Sequence, residues 1–224
     1  MVEWIYIAKK ELLELKNIKK KTMFIFLITF LWISLAYGIS GGQHSVIPNQ
    51  YALYCLALIT SVGFSSQLTA DVITLEKKQN RLEILKALKV KEICIIVGKA
   101  IPACIIGTFF SAISIVIVKI CFLIVNANIH TDINVFGFII IFLMNYITTN
   151  IVIGVSIWID DEKLMPMLSV IFPLIFILLM LMVISLFINN FNVVNFIVVV
   201  FGLIIMSVLS TYISSILLNK LSYK

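Results

Sequence analysis

Of 224 residues, 62% are hydrophobic and only 12% carry charge, with a net charge of +6. A soluble domain averages about 45–50% apolar and about 25% charged residues, so no water-exposed surface can be assembled from this list. The cations border apolar tracts rather than forming a free basic face, which excludes a nucleic-acid-binding module. It leaves a single polytopic membrane domain whose lysines set topology and touch anionic lipid.

Residues 1–21 read as an amphipathic helix on the inner membrane face. Trp4, Ile5, Ala8, Leu12 and Leu15 share one arc of a helical wheel, opposed by Glu3, Lys10 and Glu14. Trp4 and Tyr6 suit the headgroup level, and Lys9 adds to the basic end that closes at Lys19-Lys20-Lys21. A plainer reading, a positive-inside anchor, fits the same residues. The first apolar run follows this charged stretch, exceeds signal-core length and lacks a small-residue cleavage site, so no cleavable signal peptide is expected.

Residues 22–224 then form the membrane domain. Six tracts reach the roughly 20 apolar residues that a spanning helix needs: about 22–40, 51–70, 93–119, 136–158, 164–188 and 196–218. All the Lys and Arg residues except Lys119 fall in islands at 9–21, 77–99, 163 and 220–224, while the breaks near 39–50, 126–135 and 189–195 hold none. Cations on every second break place both termini in the cytoplasm. The fold class is therefore all-α, with six transmembrane helices. Lys119 falls near the outer headgroups, where its ammonium can snorkel. Asn189, Asn190, Asn192 and Asn195 leave open short re-entrant helices over 183–195.

Within the spans, Asn145, Thr148 and Thr149 sit near the middle of the fourth tract. They suit interhelical hydrogen bonds or one wall of a transport path. Ser207, Ser210, Thr211 and Ser214 recur at helical spacing in the sixth, which suits close packing. Pro166 and Pro173 fall early in the fifth tract and Pro102 in the third; Pro173 is a candidate hinge, against simple tolerated curvature. The four cysteines read as small hydrophobes without ligand spacing. His44 and His130 lie in outer loops away from acidic pairs, and no metal site is expected.

The longest polar segment, Asp71 to Glu92, lacks Gly and Pro and should be helical. Leu75, Leu82 and Leu85 cluster on one side of that rod, and Glu76, Gln79, Glu83 and Lys86 on the other. Such a two-faced cytoplasmic rod suits docking to another protein, or is a solvated connector. The stretch LEKKQNRLEILKALKVKEICIIVGK resembles the signature of the type-2 permeases of ATP-binding-cassette exporters. Glu76 takes the first acidic position of that pattern, Leu82 and Glu83 its Leu-Glu pair, and Leu85 an apolar position. Gly98-Lys99 is the Gly-Lys pair that opens the third span. Asn80 stands where Gly is usual, Lys78 replaces the second Glu, and Lys89 stands where Pro is usual.

That resemblance implies a coupling helix at about 74–90, formed by Leu75, Glu76, Gln79, Asn80, Leu82, Glu83, Leu85 and Lys86. The helix would insert into a soluble ATPase subunit, which the N-terminal helix also touches. The chain has no Gly-x-x-x-x-Gly-Lys-Ser/Thr phosphate loop, so it binds no cofactor itself. It is expected not to be an enzyme; ATP and Mg would belong to two copies of the partner. A second permease chain, identical or closely related, would complete the assembly in a bacterial plasma membrane. The expected function is ATP-driven export, by alternating access, of an amphipathic or hydrophobic cargo such as a peptide, toxin or drug, in the manner of peptide export and self-immunity permeases. A non-transporting scaffold or immunity protein and a passive channel are the alternatives.

Overall fold

The computed structural model describes residues 3–14, 49–124, 135–159, 171, 175 and 193–220. Among them every regular element is a helix: α1 (Glu3–Glu14), α2 (Asn49–Lys78), α3 (Arg81–Ala87), α4 (Glu92–Ile124), α5 (Val135–Trp158) and α6 (Val193–Lys220). Four contain segments long and apolar enough to cross a membrane: Leu56–Lys78, Glu92–Cys121, Gly137–Trp158 and Ile197–Asn219. These are the second, third, fourth and sixth tracts expected above. The tract at 22–40, all of 164–188 but Ile171 and Ile175, Pro166 and Pro173 among them, and residues 183–192 of the expected outer turn lie outside the described residues.

The distribution of side chains is that of a protein immersed in lipid. Ile105, Phe109, Ile113, Val116 and Ile120 form an exposed apolar row on α4, and α6 exposes Phe201, Ile205, Val208 and Tyr212 among others. Meanwhile Ser61, Ser65, Ser111, Asn145, Thr149, Asn150 and Ser214 are buried. Hydrocarbon drives no apolar side chain inward and punishes an unpaired polar one, so polar groups turn toward protein and leucine-like surface turns out. The described residues belong to a membrane protein.

Direction along the bundle follows from which residues meet. Tyr146 reaches Thr211, Asn150 reaches Ser210 and Thr211, and Ser214 reaches Asn150, so α5 and α6 run the same way. Ser65 against Asn145 and Lys77 against Ile159 set α2 parallel to them. Contact of Ile73 with the cluster holding Ile95 and Ile96 sets α4 antiparallel.

Where α2 ends and α4 begins, one apolar cluster gathers every element. Ile7 of α1, Ile73 of α2, Leu82 of α3, Ile95, Ile96 and Ala100 of α4, Ile153 and Ile157 of α5 and Leu218 of α6 are all buried there. A second cluster of Ala57, Leu58, Ile115, Ile141, Met144, Ile147 and Leu203 holds the far half. Phe64 and Phe110, ring centroids 4.1 Å apart, join α2 to α4 in a third.

The rod expected over 74–90 is instead two helices meeting at an elbow. Asn80 has φ 53° and Lys89 φ 56°, a left-handed conformation that ends a helix and that Asn tolerates better than most residues. At the first break the amide of Asn80 donates to the Lys77 carbonyl at 3.1 Å. At the second, the amide of Val90 donates to the Leu85 carbonyl at 3.3 Å, the six-to-one bond of a Schellman cap, and both side chains pack on the cluster as that motif requires. Asn80 thus takes the backbone conformation that Gly adopts most readily. Lys89 could not be Pro, whose ring fixes φ near −65°. Lys89→Gly should stabilise the fold by about 0.5–1 kcal/mol by relieving the left-handed strain, read as a higher unfolding midpoint in detergent.

Candidate functional site: a pinned elbow beside the amphipathic helix

The break at Asn80 re-sorts the faces expected for the rod. Leu75, placed with Leu82 and Leu85 in the sequence reading, is exposed; Glu76, placed on the solvent side, is 2% exposed and buried. Helix α2 simply continues its span down to Lys78, so residues 74–78 keep the burial pattern of a span, and only α3 has an outer face of its own. Leu82 is buried and Leu85 half-buried on the core cluster, as their spacing suggested. Gln79, Asn80 and Glu83 are exposed, and the Lys86 side chain lies outside the described residues.

The outer face of the elbow is apolar at its centre and cationic at its rim. Ile84 is 56% and Leu88 68% exposed. Lys78, Lys89 and Lys91 are exposed around them, with Arg81 half-buried and Glu83 the nearest exposed acid in sequence. An apolar centre within a charged rim is the composition of a protein-docking patch.

Behind this face stands an ion cluster that holds the elbow still. Lys99, on the second turn of α4, places its Nζ 2.5 Å from Oε1 of Glu11 on α1 and 2.5 Å from Oε2 of Glu76 on α2. Lys10 approaches the other Glu76 oxygen at 3.9 Å. Glu11, Glu76 and Lys99 are all within 5% of full burial. Burial pushes the Glu11 carboxyl above its ordinary range; the Lys99 ammonium pulls it back, and the Glu76 charge pushes it up again. Three helices distant in sequence therefore share one cation. Lys77 adds a fourth link, donating from Nζ to the Ile159 carbonyl at 2.7 Å, where a cation suits the end of α5.

Gly98 makes the cluster reachable. A Cβ there would lie 2.8 Å from Ile7 Cβ and 3.0 Å from the Trp4 carbonyl, so α1 rests on bare backbone. Gly98 and Lys99 thus hold α1 side by side, Lys99 also reaching Glu76. Helix α1 turns Ile7 and Glu11 inward and leaves Trp4 half-buried. Ile5, Lys9 and Leu12 face away from the bundle, keeping the expected apolar arc open on the outside.

The mid-span polar residues form a separate hub. Asn145 accepts a hydrogen bond from Ser65 Oγ and donates to the Cys104 carbonyl at 3.2 Å, joining α2, α4 and α5. Thr149 returns its hydroxyl to the Asn145 carbonyl at 2.7 Å and Thr148 to Met144 and Asn145. All three side chains are buried. Asn150, with Ser210, Thr211 and Ser214, forms the α5–α6 seam.

The sequence reading missed Glu11 and Lys99 as functional residues. Lys99 carried the signal: an ammonium seven residues into an apolar span demands a buried partner. No family model, curated protein or solved structure matches this chain.

Proposed function

We propose that the chain is the membrane permease subunit of an exporter driven by a separate ATP-binding-cassette ATPase, and that the elbow is the surface this ATPase grips. The observation that carries the reading is the elbow itself: Ile84 and Leu88 presented on a short helix whose base is locked by Lys99 to α1 and α2. A push on α3 is transmitted only if α3 cannot slide on the bundle; Leu82 and Leu85 seat it on the core cluster, and the ion cluster fixes the end of α2 from which it starts. The signature-like residues Glu76, Leu82, Glu83, Gly98 and Lys99 support the same reading, since four of them shape or anchor the elbow and Glu83 lies on its outer face.

In this mechanism two permease chains face each other in a bacterial plasma membrane. ATP closes the paired ATPases, the two elbows move together, and the cargo path reopens outward. The spans offer an apolar, weakly polar interior, which suits an amphipathic or hydrophobic peptide, toxin or drug. The open arc of Ile5 and Leu12 on α1 would lie in the inner headgroup layer, parallel to the membrane.

The test is reconstitution with the co-expressed ATPase in lipid. Ile84→Asp and Leu88→Asp should each weaken its binding on the order of 30-fold, the loss of about 2 kcal/mol expected of a central contact, and should abolish stimulated ATP hydrolysis. Binding and turnover unchanged by both substitutions would remove the elbow from the interface.

A further inference from the structure

We propose that the Glu11–Lys99–Glu76 cluster is a proton-binding site, so that the seating of α1 on the bundle depends on pH. The proposal stands on α1 and the bundle alone, whatever the elbow docks.

The count of buried charge is uneven. Two carboxylates share the single buried ammonium of Lys99, with both contacts at 2.5 Å. The next cation, Lys10, is 3.9 Å away and its side chain is 35% exposed, so water screens it. Glu76 is 2% exposed, and among the described residues its oxygens meet only the ammonium of Lys99 and, at 3.9 Å, that of Lys10. Among the described residues its charge is therefore offset by the two lysines alone. A proton added to the neighbouring Glu11 carboxyl brings the three buried groups to neutrality and ends the repulsion between the acids. A small cavity of about 20 Å³ adjoins the site, its wall mostly apolar (Leu68, Val72, Ile73, Ala103) with Glu11, Thr69 and Lys99 as its polar members, and has room for one water.

The charged groups acting on Glu11 are Lys99 from α4, Glu76 from α2 and Lys10 on its own helix. Burial is the largest influence and, with Glu76, raises the carboxyl from its ordinary 4.5; the two lysines oppose the rise. With α1 lifted away, Glu11 sits in water and titrates at that ordinary value. The seated form therefore holds a proton that the lifted form has lost, over the window just above 4.5. Seating is strongest below that window, weakens as pH rises through it, and levels off above the raised value. Each pH unit across the window shifts the equilibrium by up to about tenfold.

The experiment uses the full chain in lipid nanodiscs, with spin labels at Tyr6→Cys and Leu88→Cys and the four native cysteines replaced by Ala. Both label sites are exposed. Pulsed electron–electron distances are recorded from about pH 4.5 to about pH 8. The lifted, long-distance fraction should grow with pH. Glu11→Gln should flatten this dependence, and Glu3→Gln, an exposed acid on the same helix, should leave it intact. A wild-type fraction independent of pH, or a slope that survives Glu11→Gln, overturns the proposal. If Glu11→Gln frees α1 at every pH, Glu76→Gln decides: it must reduce the slope, and an unchanged slope overturns the proposal equally.

Discussion

Lys99→Met will release α1 and cost about 3–5 kcal/mol of stability, the loss expected when one member of a buried ion cluster is removed and its partners remain. Methionine fills the space of the lysine stem but leaves Glu11 and Glu76 facing each other in a buried site. Only Lys10 remains nearby, at 3.9 Å from Glu76. The folded chain can escape by letting α1 go, which lowers the unfolding midpoint. The triple variant Lys99→Met/Glu11→Gln/Glu76→Gln should recover most of the loss, because replacing a whole buried ion group by neutral residues is often close to neutral. Denaturant unfolding in mixed micelles separates the two. A single variant within about 1 kcal/mol of the parent would mean that the ions do not hold the elbow.

The second large effect belongs to Gly107→Val, at the crossing of α2 and α4. A Cβ at Gly107 would lie 2.6 Å from the Ser61 carbonyl, 2.8 Å from Asn145 Nδ2 and 3.1 Å from Ser65 Cβ. The first of these is backbone and cannot swing aside, so the two helices must part. Overpacking of this kind costs about 1–3 kcal/mol. Parting also breaks the Asn145 bonds to Ser65 and Cys104, at about 0.6 kcal/mol each in a membrane interior. Gly202→Val is the control. Nothing lies within 4 Å of a Cβ there, and removing a mid-helix Gly should leave stability unchanged or slightly improved. Equal midpoints for the two variants would contradict the close crossing.

The pattern of the sequence reached the described fold where the physics is local. Twenty apolar residues in a row announce a span without any partner, and four of the expected tracts are helices at the expected places. The helix of α1 was legible for the same reason, from residues within four positions of one another. The break at Asn80 was not legible: a stretch without Gly or Pro reads as one rod, and Asn80 enters the left-handed region that Asn tolerates better than most residues.

What the sequence hid is whatever depends on a contact across the bundle. Leu75 and Glu76 exchange the faces assigned to them because the helix that carries them is the end of a span, not the start of a free rod. Glu11 reads as one more acid on a polar arc until Lys99, 88 positions later, lies against it. Lys99 itself follows a dense run of lysines over 77–91 and passes for one of them. Asn145, Thr148 and Thr149 showed that polar side chains were needed in mid-span, but only the packing of α2, α4 and α5 gives Asn145 its partners.

The central claim is that the elbow protrudes toward the cell interior on a base fixed by Lys99. Its most direct test is a single cysteine at Ile84→Cys, in a chain whose native cysteines are Ala, probed with a membrane-impermeant maleimide. Labelling in inside-out vesicles and none in intact cells is the expected result. Labelling of intact cells from outside would contradict the orientation on which the docking surface, and with it the proposed coupling to an ATPase, depends.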